Sequence, residues 1–118
     1  MNAAGFKASF LPCVGLAIAP ALWAINTQLG LILPYLECRS GVKLDAWTSL
    51  PLAFLALTAG FVSLRFAGWR EGDAAQSGAA YPATVSFIGW LGALNGALFA
   101  FAMLLQGAAS LMISGCQR

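Results

Sequence analysis

The chain has 118 residues, of which 60% are apolar and only 8% are charged. A soluble domain carries charge on about a quarter of its residues, so this composition excludes a soluble globular protein and predicts lipid as the main solvent. The net charge of +2 is too small and too scattered to indicate nucleic-acid binding. Histidine is absent and there are four carboxylates, which leaves few groups for acid–base catalysis or metal ligation.

Three long stretches without any charged residue divide the sequence: residues 8–36, 46–64 and 74–117. About 20 apolar residues in a helix cross a hydrocarbon core of about 30 Å, so each stretch can hold one span. Helices are expected because lipid offers no partner to an unpaired backbone group. We therefore predict an all-α integral membrane protein, with one transmembrane domain over residues 1–118 and three transmembrane helices.

The first predicted helix covers residues 9–36 and is interpreted as an uncleaved span, because Ala19-Pro20-Ala21 is a poor signal-cleavage site. The second covers residues 47–68, and the polar segment 69–81 that follows is expected to be a flexible surface loop. The third covers residues 82–115 and is the long helix of the set. At about 34 residues it would extend about 50 Å, more than a bilayer core requires.

Two of the three cysteines follow predicted helices that end at the same membrane face. Cys38 follows helix one and Cys116 follows helix three, so the pair is a disulfide candidate if their Cα atoms come within about 7 Å. The alternative is two unpaired thiols near a surface. The positive-inside count is tied, but a disulfide persists only in an oxidising compartment and therefore favours a cytoplasmic N-terminus in a bacterial inner membrane.

No catalytic, cofactor-binding or metal-binding set emerges from the sequence, and we predict that the chain is not an enzyme. The polar side chains of interest inside the predicted spans are four amides, Asn26, Gln28, Asn95 and Gln106. Gln28 lies ten residues before Cys38 and Gln106 ten before Cys116, so both should lie about 15 Å below the surface. They are expected either to contact each other, a ligand or a partner helix, or to be satisfied separately by backbone carbonyls.

Helix three also carries a helix-packing signal in two neighbouring rows of small residues. Small residues four apart let two membrane helices approach closely. The rows are Gly89, Ala93 and Ala97, and Gly92, Gly96 and Ala100. This face is expected to pack either on the protein's own helices or on a different subunit.

The sequence resembles the small membrane proteins that are encoded beside cytochrome c oxidase genes in some bacteria. The features that carry the resemblance are Trp23, Cys38, the Arg65–Arg70 segment and the closing run from Leu104 to Cys116. The resemblance covers most of the chain. It implies an accessory or assembly role at a respiratory oxidase, and no catalytic residue carries over.

The expected function is therefore that of a non-catalytic accessory subunit in an energy-transducing assembly, such as a respiratory oxidase or supercomplex. Its expected partners are other membrane protein subunits and the lipid bilayer, with bound lipids as a further expectation. One alternative is a holin-like pore former, which can also consist of three short helices. Another is a small transporter, or a lipid- or quinone-binding protein, that uses Gln28, Asn95 and Gln106.

Overall fold

The computed structural model describes residues 11–78, 83–113 and 116, and it is all-helical. After a 3-10 turn at Leu11–Cys13 come three helices: α1 (Val14–Ser40), α2 (Leu44–Ser77) and α3 (Ala83–Met112). Each helix is long and apolar enough to cross a membrane. The predicted all-α fold with three spans is confirmed, and its composition is that of a membrane protein.

The three helices form an elongated bundle of 62 × 27 × 16 Å. α1 and α3 run in the same direction, since the disulfide between Cys38 and Cys116 joins their C-terminal ends. α2 runs antiparallel between these two, and its contact with α3 is the most extensive in the bundle. Each helix has a most apolar segment, and the segment of α1 has the smallest buried share. α1 is therefore the most exposed helix of the bundle.

The connection between α1 and α2 is much shorter than the ten residues, 37–46, that separate the predicted bounds of the first two helices. α1 continues to Ser40 and α2 begins at Leu44, which leaves only residues 41–43 outside the helices. Gly41 ends α1 with a left-handed φ of 71°, and its N–H donates to the Glu37 carbonyl at 2.8 Å. This is the usual termination of a helix at a glycine that tolerates positive φ.

α2 is longer than predicted and is the longest helix, with 34 residues against 30 in α3. The expected flexible loop over residues 69–81 is therefore wrong for residues 69–78, and residues 79–81 lie outside the described residues. The third helix is long, as predicted, but its described length does not exceed that of α2. Charged and alanine residues after Trp69 are good helix formers in water, so the helix continues beyond the apolar span until Gly78, where φ is 66°. The predicted helix ends at residues 9, 82 and 115 lie outside the described residues.

The interior of the bundle consists of small side chains. The buried apolar cluster contains four alanines and one methionine: Ala19, Ala53, Ala56, Ala100 and Met103. Large apolar side chains are instead exposed on all three helices. This arrangement reverses the rule for soluble proteins and fits a lipid environment, in which close backbone packing holds helices together.

Candidate functional site

The small-residue rows of α3 face the interior of the bundle. Gly89, Gly92, Gly96 and Ala100 are buried, Ala93 is half-buried and Ala97 is exposed. A Cβ atom added to Gly96 would lie 2.7 Å from the Ala56 carbonyl oxygen and 3.0 Å from the Gly60 Cα. Of the two alternatives for this face, the structure adopts packing on the protein's own helices, on α2 and, at Gly92, on α1.

The intramembrane amides are brought together differently from the predicted pairing of Gln28 with Gln106. Asn26 donates from Nδ2 to Gln106 Oε1 at 3.0 Å, and Ser49 donates from Oγ to Asn26 Oδ1 at 3.1 Å. These three residues, one from each helix, are called the polar cluster below. Asn26 and Ser49 are only 2% and 1% exposed, whereas Gln28 is exposed and lies outside the cluster.

Asn95 is not part of the polar cluster. Its Nδ2 donates to the backbone carbonyl of Gly15 at 3.1 Å and links α3 to the first turn of α1. The same region has very close backbone contact, since a Cβ atom on Gly15 would lie 2.8 Å from the Gly92 carbonyl oxygen. The Asn95 amide is therefore satisfied by a backbone carbonyl rather than by another amide.

The disulfide candidate is a bonded pair in the structure. Cys38 lies near the end of α1, and its Sγ is bonded to that of Cys116 with a Cα–Cα distance of 5.2 Å. The third cysteine, Cys13, is a free thiol of intermediate burial. The C-terminal ends of α1 and α3 are thus covalently joined at one end of the bundle.

The α1–α2 connection uses its charged residues to satisfy helix termini, a role that sequence reasoning missed. The backbone N–H of Asp45, in the first turn of α2, donates to Glu37 Oε1 at 2.7 Å, and both residues are buried. Lys43 Nζ donates to the Ser110 carbonyl at 3.0 Å, at the end of α3. Carboxylates near a helix N-terminus and lysines near a C-terminus are general preferences, but only the fold reveals which terminus each residue meets.

A groove opens beside the disulfide, along α1. It has a volume of about 650 Å³ and is lined by α1 side chains and by the second cysteine: Gly30, Leu31, Pro34, Tyr35, Cys38, Arg39 and Cys116. An adjoining pocket of about 240 Å³ shares Gly30 and Leu31 with the groove and is also lined by Asn26, Asp45 and Gln106. The groove therefore lies at the charged end of α1, next to a pocket beside the polar cluster.

A second exposed feature lies on the side of α3 away from its buried glycines. Six large apolar residues there follow a spacing of four and three residues, and they are between 41% and 65% exposed. They are Phe87, Leu91, Leu94, Leu98, Phe101 and Leu105, called the outer stripe below. The signal was present in the sequence as two interleaved rows with a seven-residue repeat, the pattern of helices that pack side by side.

No family model, curated protein or solved structure matches this chain. Among residues 11–78, 83–113 and 116, no group of three or more histidine, cysteine, aspartate or glutamate side chains is placed to hold a metal ion. The resemblance to oxidase-associated proteins stays a prediction.

Proposed function

We propose that the protein is a non-catalytic accessory subunit that packs through α3 against the membrane domain of a larger energy-transducing assembly. The observation that supports this proposal most strongly is the outer stripe. Leucine and phenylalanine at alternating spacings of four and three residues form the seam that a neighbouring helix fills in left-handed packing, the commonest geometry of membrane bundles.

The internal packing of α3 supports the same proposal. Its glycine face packs against α2 and, at Gly92, against Gly15 of α1, so a partner would contact the opposite face, where the outer stripe lies. α3 has no charged residue between Ala83 and Met112, so this face stays apolar along its whole length. α2 also exposes Leu50, Phe54, Leu57 and Phe61, but it continues into a charged segment from Arg65.

The resemblance of the sequence indicates the kind of partner, a respiratory oxidase or supercomplex in a bacterial inner membrane. The disulfide supports an orientation in which the Cys38–Cys116 end faces the oxidising side and the N-terminus faces the cytoplasm. A reporter enzyme that is active only outside the cytoplasm, fused after Arg118, should therefore be active. Activity of the same reporter at the N-terminus instead would reverse the orientation.

The test of the accessory role is extraction of the tagged protein from its own membranes in a mild detergent, followed by native gel separation and identification of the subunits that migrate with it. The wild type should migrate with a large membrane assembly. Replacing Leu94 and Leu98 by alanine should release the protein from the assembly. The matched control replaces Leu50 and Leu57 on α2 by alanine and should leave the assembly intact.

Two outcomes would contradict the proposal. The first is migration of the wild-type protein as a lone small species. The second is equal loss of the assembly in the α2 control, which would show a general loss of stability rather than an interface on α3. Thermal unfolding of both variants in detergent, followed by circular dichroism, separates a lost interface from a general loss of stability. If the proposal is right, the two variants unfold at similar temperatures although only the α3 variant leaves the assembly.

A further inference from the structure

The groove beside the disulfide contains a glycine that helix packing does not require. A Cβ atom on Gly30 would meet only Asp45 Oδ1, at an ordinary contact distance of 3.6 Å. At Gly96 the added atom would instead collide with the α2 backbone. Glycine inside a helix costs about 1 kcal/mol relative to alanine, so its presence at position 30 calls for another reason. The visible consequence of Gly30 is open space in the groove.

The size and lining of the groove fit an elongated apolar ligand. The groove has a volume of about 650 Å³, within the range of roughly 300–1,000 Å³ that ligand pockets occupy. Gly30, Leu31 and Pro34 form an apolar wall along α1, in a helix that is apolar enough to cross the membrane. A ligand that enters here from the bilayer would have a hydrocarbon chain.

The charge beside the groove gives the ligand a direction. Arg39 lines the groove and is exposed, in the last turn of α1, where lipid headgroups lie. Gly30 and Leu31, earlier in α1, line the groove with uncharged surface. A molecule with a phosphate at one end and a hydrocarbon chain at the other matches this arrangement, since basic pockets at the ends of membrane helices attract anionic headgroups.

We propose that the groove along α1 binds an anionic phospholipid, with its phosphate at Arg39 and one acyl chain against Gly30, Leu31 and Pro34. Tyr35, which is exposed beside Arg39, adds a hydroxyl group at headgroup depth. This lipid site is independent of the partner surface on α3. Loss of one leaves the other in place.

The test uses the purified, disulfide-bonded protein and native mass spectrometry with two added lipids of identical acyl chains, phosphatidylglycerol and phosphatidylcholine. The wild type should retain phosphatidylglycerol with about a fivefold preference, the factor that one arginine near an anionic headgroup contributes. Arg39→Gln should abolish the preference, and Gly30→Leu should reduce retention of both lipids because the added side chain occupies the groove. The matched controls are Arg70→Gln and Gly68→Leu, at exposed positions on α2 away from the groove.

Several results would overturn the proposal. Equal retention of the two lipids by the wild type would remove the role of Arg39, as would an unchanged preference in Arg39→Gln. An effect of Gly68→Leu as large as that of Gly30→Leu would show non-specific delipidation. Retention of a neutral isoprenoid in place of phospholipid, or burial of the groove under a partner protein, would assign it to a different occupant. Arg39→Gln alters only an exposed side chain, so it tests the site even if Gly30→Leu fails to fold.

Discussion

The α2–α3 and α1–α3 interfaces hold the same helix in different ways. Between α2 and α3, the helices touch at Gly89, Gly96 and Gly107, where an added Cβ atom would meet α2 at contact distance or closer. Between α1 and α3, the backbones touch near the start of α1, where Gly15 meets Gly92, and the contact toward the other end consists of separate links, the Asn26–Gln106 hydrogen bond and the disulfide. The groove lies beside the second interface, at its disulfide end.

This difference shows that close packing and separate bonds have different structural consequences in lipid. Many small van der Waals contacts leave no space and depend on every residue in the row being small. A few directional bonds tolerate gaps between them, so a ligand can lie along the interface without breaking it. The first interface therefore provides the rigid pair of helices, and the second allows α1 to form a groove.

The largest expected effect comes from breaking the close interface. Gly96→Leu places a side chain against the α2 backbone, which cannot move aside as a flexible side chain would. We expect a loss of about 3 kcal/mol in the free energy of unfolding, the upper end of the usual cost of overpacking. Unfolding by titration with a denaturing detergent, followed by circular dichroism, measures it. Gly68→Leu is the matched control and should not destabilise, because nothing lies within 4 Å of that position.

The second effect concerns the covalent link of the looser interface. Replacing Cys38 and Cys116 by serine removes a covalent link between residues that lie 78 positions apart in the sequence. We expect a loss of about 2 kcal/mol, at the low end for a loop of this length, because the unfolded helices remain confined by lipid. The same detergent titration checks it. Alkylation without reduction followed by mass analysis should modify only Cys13 in the wild type, and three modified thiols would rule out the bridge.

The depth of a residue in the membrane could be read from the sequence, but its direction around the helix axis could not. Counting from Cys38 and Cys116 placed Gln28 and Gln106 at the same depth, but the amide that bonds to Gln106 is Asn26 rather than Gln28. Residues two positions apart differ by about 200° around a helix, so Asn26 and Gln28 face opposite sides. Which side faces the bundle depends on the packing of all three helices. The same reasoning explains why Gly96 is buried while its neighbour Ala97 is exposed.

Helix ends were misjudged for a related reason. The charges at Glu37 and Arg65 mark where a span approaches the membrane surface, and they say nothing about where helical hydrogen bonding stops. α1 and α2 both continue past these charges until a glycine takes up positive φ, at Gly41 and Gly78. The number of spans was predictable because hydropathy determines it, whereas the buried roles of Glu37 and Asp45 depend on contacts across the connection.

A smaller loss of stability is expected from Asn26 in the polar cluster, and a still smaller one from Gln28, which lies outside it. Asn26→Leu removes a side chain that bonds to both Gln106 and Ser49, and it should cost about 1 kcal/mol, within the range for hydrogen bonds between membrane helices. Gln28→Leu, two residues along the same helix, should change stability by less than about 0.5 kcal/mol because the side chain is exposed. Equal losses in the two variants, measured by detergent titration, would contradict this assignment of the cluster.

The smallest effect is expected at Lys43, whose Nζ lies 3.0 Å from the Ser110 carbonyl oxygen and 3.4 Å from that of Leu111. Lys43→Met keeps most of the side-chain volume and removes the charge from the C-terminus of α3, which should cost about 0.5 kcal/mol. Hydrogen exchange should rise only in the last turn of α3. Because the disulfide restrains the same terminus, the loss should be larger in a protein without Cys38 and Cys116, and a double-mutant cycle measures that coupling. Additive losses would instead show that Lys43 and the disulfide restrain the end of α3 independently.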